Sequence, residues 1–298
     1  MIDQATLDAA LATARCFSGQ TVEGWTFDLS ITVPLAMTLM LYGMGVKRLW
    51  RRAGIGHGVS MAQAALFAAG FTALVVALVS PLHELSRRLF SAHMIEHEVM
   101  LAVAAPLLVA ARPLGAMLWA VPQNWRRALG AAARRRPFAL VWSALSLPLV
   151  ATLLHGAAIW VWHVPRLFDL ALAQEPLHWL QHFSFFTTAL LFWWALQEGH
   201  ERAAGHGAAV GYLFATALHT GFLGVLLLFS PMLWYAPSAA AADWGLTPLE
   251  DQQLAGLIMW VPGGLIYAGA ALLSARAWII GEPTGTLHSR QQAIGNRQ

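Results

Sequence analysis

One cysteine, Cys16, stands in 298 residues. It excludes an intramolecular disulfide framework and any metal site built from several thiolates. Charge is scarce too: Asp, Glu, Lys and Arg make up 11% of the chain, against about 25% in soluble domains. With 58% hydrophobic residues and a mean hydropathy of +0.56, the composition is that of an integral membrane protein. No internal repeat or low-complexity linker divides the sequence. Residues 1–29 lack a basic start followed by an apolar core, so no cleavable signal peptide is expected. The net charge of +3 does not point to nucleic acid, because the basic residues cluster in short loops between apolar runs.

Apolar runs fall near 30–46, 61–80, 93–111, 138–161, 178–197, 209–229 and 253–274. Crossing the hydrocarbon takes about 20 residues as a helix, and these runs show no period-two alternation. The sequence therefore predicts an all-α, seven-transmembrane-helix bundle. It predicts an N-terminal segment at 1–29, a membrane domain at 30–276 and a tail at 277–298. Pro34, Pro106, Pro148 and Pro262 interrupt the runs, which membrane helices tolerate when neighbours satisfy the freed carbonyls. Arg15, Arg87, Arg88 and Arg166 fall on one side, and the other fourteen of the 18 basic residues fall on the opposite side. By the positive-inside rule the N-terminus lies outside and the C-terminus in the cytoplasm. Tryptophans near run ends, among them Trp25, Trp50, Trp162, Trp179, Trp234 and Trp278, read as interfacial belts.

Polar residues are costly in lipid, and twelve histidines stand out. His93-Met94-Ile95-Glu96-His97 and His178-Trp179-Leu180-Gln181-His182 each place two imidazoles on one helical face. In the predicted topology both pairs open their spans at the outer face. His163 ends the fourth span there, and His83 lies in the short loop before the third. His93, Glu96, His97 and Met100 follow i, i+3, i+4, i+7 and share a stripe. Imidazole suits several divalent metals and copper, and thioether favours Cu(I). Asp251 and Gln252 open the last span at the same face and are expected to hydrogen-bond ligand histidines. Each assignment has a plainer counterpart. Single membrane histidines such as His155 and His219 serve helix–helix hydrogen bonds. Met100 and Met259 serve packing. Glu96 and Glu98 can stand at headgroup level, favoured by a helix N-terminal dipole. His57, His200, His206 and His288 read as solvated, and Arg134–Arg136 as a lipid-headgroup feature.

The run Ser80-Pro81-Leu82, Leu89-Phe90-Ser91-Ala92-His93-Met94, His97 and Ala105-Pro106-Leu107-Leu108 resembles the CtaG-type cytochrome c oxidase assembly factors. Two later blocks agree in the same order. They are Trp162-His163-Val164-Pro165, Phe168-Asp169, Ala171-Leu172, Leu177-His178 and His182, then Asp251-Gln252-Gln253, Gly256, Met259-Trp260 and Pro262-Gly263. The similarity runs from Trp25 to about Arg276. It implies a protein of the bacterial plasma membrane that helps mature a haem–copper oxidase by supplying or placing copper. Its partners would be an oxidase subunit or a copper chaperone. Many members of that family carry Gln where this chain has Glu96, and an apolar residue where it has Glu98. An added carboxylate favours a harder divalent ion.

The leading expectation is a non-enzymatic copper-handling factor. His93, His97, His178 and His182 would hold the ion, as Cu(I), with His163, Met100 and Glu96 as further ligands and Asp251 orienting them. A seven-span zinc hydrolase of membrane substrates is the alternative, since such enzymes also use HxxxH pairs with a carboxylate base. A b-type haem carrier needs axial histidines facing each other from different helices; His155 and His219 are the pair for that reading.

Overall fold

Proline and capping residues decide where the helices begin. Ser60 and Gln63 form a reciprocal capping box at one start, and Thr247 and Glu250 form another, each satisfying N–H groups that a helix leaves open. Proline occupies a first-turn position, where its missing N–H costs nothing, in the helices starting at Pro81, Pro113, Pro148, Pro165 and Pro248. The computed structural model describes residues 21–22, 24–197, 205–238 and 240–280. Cys16 and the expected N-terminal segment through residue 20, His200, Arg202 and the tail from 281 lie outside the described residues, as does the side chain of His206.

The helices are α1 (Leu29–Ala53), α2 (Met61–Val79), α3 (Pro81–Ser86), α4 (Phe90–Glu98), α5 (Ala105–Ala110), α6 (Pro113–Ala120), α7 (Gln123–Ala133), α8 (Arg136–Leu145), α9 (Pro148–Trp162), α10 (Pro165–Ala173), α11 (Glu175–Gln197), α12 (Gly205–Leu228), α13 (Pro248–Ile258) and α14 (Gly264–Ile280). A π segment, Val99–Ala104, joins α4 to α5, and a second, Met259–Gly263, joins α13 to α14. The only strands among the described residues are Thr21–Val22 and Trp25–Thr26, paired antiparallel. The all-helical expectation is met.

Among the described residues, five helical stretches are long and apolar enough to cross a membrane: Leu29–Ala53, Met61–Val79, Phe90–Ala110, Gly207–Leu228 and Pro248–Ile280. The fourth expected run is broken by 69° between α8 and α9, and the pair qualifies only together. Pro148 starts α9 rather than interrupting it. The fifth, α11, is 23 residues long, but Glu175, His178, Gln181, His182 and its threonines keep it out of the apolar set.

Phe90–Ala110 is the most enclosed of the five and packs against α2, α11 and α13. Pro106 explains its π segment. The Ala105 N–H reaches back to the Met100 carbonyl, so the Leu101 carbonyl faces a proline nitrogen that has no hydrogen. The Trp193 indole N–H donates to that carbonyl at 2.8 Å. A neighbouring helix thus satisfies the freed group, as lipid requires.

Close backbone approach fixes α12 against α13. A Cβ on Gly256 would lie 2.5 Å from the Gly224 carbonyl, and one on Gly224 would lie 2.6 Å from the Gly256 carbonyl. Likewise a Cβ on Gly45 would collide with the Ala116 carbonyl, where α1 meets α6. Gly256→Val is therefore expected to destabilise the fold by about 1–3 kcal/mol through overpacking. Gly43→Ala, with nothing within 4 Å of the added carbon, is expected to leave thermal unfolding in detergent close to that of the native protein.

Candidate metal site

The N-terminus of α4 carries the first histidine pair, and its capping is unusual. Leu89 at the N-cap offers no side-chain acceptor. Asp251, fully buried on α13, supplies it across the bundle. Its carboxylate accepts from the Phe90 N–H at 2.8 Å, from the Ser91 N–H at 3.0 Å and from the Ser238 hydroxyl. A charged acceptor on first-turn N–H groups also meets the positive end of the helix dipole. Asp251 thus fixes the helix bearing His93 and His97 rather than hydrogen-bonding the imidazoles. Gln252 accepts from the Trp234 N–H and donates to the Met232 carbonyl, so it too holds backbone.

Four rings gather from α4 and α11. Ring centroids lie 4.2 Å apart for His93–His97, 4.3 Å for His178–His182, 5.1 Å for His97–His182 and 5.7 Å for His93–His178. One nitrogen each of His93, His178 and His182 lies within 4.8 Å of the other two. All four residues are buried. Both ring nitrogens of His93 and of His97, and Nε2 of His178 and of His182, have no hydrogen-bond partner among the described residues. Each such atom costs about 1–3 kcal/mol when left dry. Convergent unpaired donors of this kind are what a borderline transition ion takes as ligands.

Glu96 is also fully buried inside the bundle. Its Oε1 lies 2.6 Å from His83 Nδ1 and its Oε2 4.0 Å from His182 Nε2. When Glu96 is ionised it can only accept, so His83 then donates through Nδ1, and in its neutral form holds a lone pair on Nε2. The His83 ring stacks 6.0 Å from His178, which brings it into the cluster. His83 lies on α3, not in a loop, and helical spacing could not reveal its pairing with Glu96 across thirteen residues. Carboxylate-oriented imidazole is a common arrangement around metals. Glu98 is turned inward as well, toward Gly263. A Cβ there would lie 2.7 Å from Glu98 Oε2, so the glycine leaves the room that the carboxyl fills.

His163 stands behind two aromatic rings. Phe168 and Phe185 each touch His163, at 6.3 and 6.2 Å, and each also packs on the cluster, Phe168 on His93 and Phe185 on His97. Its Nδ1 donates to the Ile159 carbonyl at 2.7 Å, and its buried Nε2 has no hydrogen-bond partner among the described residues. Gln181, fully buried between the α11 histidines in sequence, has neither amide atom partnered among the described residues. Met100 and Met259 belong to the hydrophobic core.

Residues 229–238 and 240–247 lie over this end of the bundle. Tyr235 packs on Phe90 and Phe168 and donates to the His163 carbonyl at 3.0 Å. Burial, with the Asp169 carboxylate nearby, pushes the Tyr235 hydroxyl up and keeps it a donor. Asp169 itself accepts from the Ala236 N–H at 3.0 Å.

A helical membrane protein with a buried polyhistidine cluster at one end of the bundle is the class that this geometry defines. A family model described as cytochrome c oxidase caa3 assembly factor matches residues 40–280, and the chain belongs to that family. No curated protein and no solved structure matches it.

Asp251→Ala is expected to leave the Phe90 and Ser91 N–H groups unpaired and to lower stability by about 2–3 kcal/mol. Thermal unfolding of the purified protein checks this, with Met100→Leu changing it by less than about 1.5 kcal/mol as a shape-conserving core swap.

Proposed function

We propose that this protein binds a copper ion through its histidine cluster and passes it to a haem–copper oxidase, or to a chaperone serving one, during assembly. The observation that carries this reading is the convergence of ligand-competent nitrogens from His93, His178 and His182 within 4.8 Å, in a family of oxidase assembly factors. Copper here is cargo rather than a resident cofactor. The first ligands are His93, His97, His178 and His182, with His83 held ready by Glu96. His163 is the reserve ligand, reached past Phe168 and Phe185. Stepwise ligand exchange moves an ion without a free aqueous intermediate. Glu96, engaged with His83, orients a ligand; Met100 stays in the core.

The reading extends to topology. Seven spans are counted if the bent pair α8–α9 and the polar helix α11 both cross. The short connections at the cluster end carry Arg87, Arg88 and Arg166, while the basic-rich connections lie opposite. By the positive-inside rule the cluster then faces the extracytoplasmic side of a bacterial plasma membrane. Delivery to an oxidase from that side follows. The protein acts as a carrier without covalent chemistry of its own.

Metal content decides between this and a zinc hydrolase, because imidazole suits both ions. Purified protein is expected to retain about one copper per chain, and His178→Ala with His182→Ala to lose it together with oxidase assembly. Glu96→Gln is expected to weaken copper binding by about 10- to 100-fold while leaving its stoichiometry intact. Zinc in place of copper, or normal oxidase assembly in the double variant, would overturn the proposal.

A further inference from the structure

The end of the bundle opposite the histidines carries charge of one sign. Residues 47–60 and 111–137 contain no Asp or Glu, yet Arg48, Arg51 and Arg52 stand near the end of α1, and Arg126 and Arg127 stand on α7. The two segments meet. Arg48 Nη1 donates to the Trp119 and Ala120 carbonyls, at 3.0 and 2.6 Å. It thereby caps the last turn of α6, where the helix dipole favours a cation. Arg52 and Arg126 then converge on the Trp119 side chain, with their guanidinium carbons 5.4 and 4.5 Å from the ring centre.

Contact with the face of one indole holds both guanidiniums in place but does not neutralise them. No carboxylate among the described residues pairs with Arg48, Arg52 or Arg126. Two like charges fixed around one ring repel each other, and an anion shared between them relieves that repulsion. Guanidinium suits phosphate in particular, which it meets through two parallel N–H groups. Arg52 is exposed and Arg126 half-buried.

The next helix narrows the anion to one attached to hydrocarbon. Trp125, Ala128, Leu129 and Ala132 follow i, i+3, i+4, i+7 along α7 and form an apolar stripe. Nothing in the described chain covers it: no residue of α7 is buried, and Trp125 is 67% exposed and Leu129 49%. The site also sits at the ends of two membrane-crossing stretches, since α1 finishes at Ala53 and α6 follows closely on Phe90–Ala110. That is headgroup level, where helices with a cationic face and an apolar face lie in the plane of the membrane. A soluble polyanion would meet the arginines and leave Trp125 and Leu129 in water. A phospholipid supplies both partners at once.

We infer that Arg52 and Arg126, set around Trp119, hold the phosphate of an anionic phospholipid whose acyl chains lie against the Trp125–Leu129 stripe of α7. The inference is independent of the copper proposal, with which it shares no residue.

The test titrates phosphatidylglycerol or phosphatidylcholine into the delipidated full chain in detergent and counts bound lipid by native mass spectrometry. The first phosphatidylglycerol is expected to bind about tenfold more tightly than the first phosphatidylcholine, the scale of one or two arginines on an anionic headgroup. Arg52→Gln with Arg126→Gln should remove that preference. Arg134→Gln with Arg135→Gln lowers the charge equally and should keep most of it. Trp125→Ser with Leu129→Ser leaves the charge unchanged and should weaken phosphatidylglycerol about tenfold. Glycerophosphoglycerol, the headgroup without its chains, should not compete at about tenfold excess over the lipid. Thermal unfolding of each variant near the native temperature shows that the fold is kept. Equal binding of the two lipids, or equal loss in the two arginine pairs, would overturn the inference in favour of a diffuse positive field. Unchanged binding without the stripe, or full competition by the headgroup alone, would overturn it in favour of a soluble anion.

Discussion

Water is the usual partner of last resort for a polar atom, and the interior of a membrane bundle supplies none. Every unpaired imidazole nitrogen in this protein is therefore a standing cost, and the histidine end of the bundle concentrates several of them. Both nitrogens of His93 and His97, with Nε2 of His163, His178 and His182, are buried without hydrogen-bond partners among the described residues. A core built for stability alone would pair such atoms or replace them with aliphatic carbon. Cost of this kind marks places where function outweighs stability.

The surrounding structure reads as the means of holding those rings apart from partners and close to one another. Asp251 anchors the start of α4 from another helix. Glu96 orients His83 from the side. Phe168 and Phe185 form an apolar partition between the cluster and His163, and the Tyr235 loop closes the end. The π segment after α4 lets a proline sit in the most enclosed helix, with Trp193 satisfying the carbonyl that Pro106 leaves open. Such single-turn widenings are frequent at functional sites.

Much of this was legible in the sequence because it follows helical periodicity. Imidazoles four residues apart share a face in any helix, so each pair follows from spacing, and the direction of the spans puts both pairs at one end of the bundle. Contacts between distant segments could not. His83 carries no periodic signal, and its place depends on Glu96 turning toward it. Asp251 was expected to orient imidazoles; instead it caps the helix that bears two of them, a role set by how α13 crosses α4. Met100 shares the histidine stripe by spacing but is absorbed into the core. The break between α8 and α9 was hidden because Pro148 sits within a continuous apolar run, where hydropathy alone cannot tell a kink from a start.

Copper K-edge absorption fine structure on the copper-loaded, full-length protein tests the central claim most directly, because it reports the atoms bound to the ion. Three or four imidazole nitrogens, with the outer-shell scattering of the rings, are predicted. A shell of oxygen or thioether ligands without imidazole scattering would contradict the account.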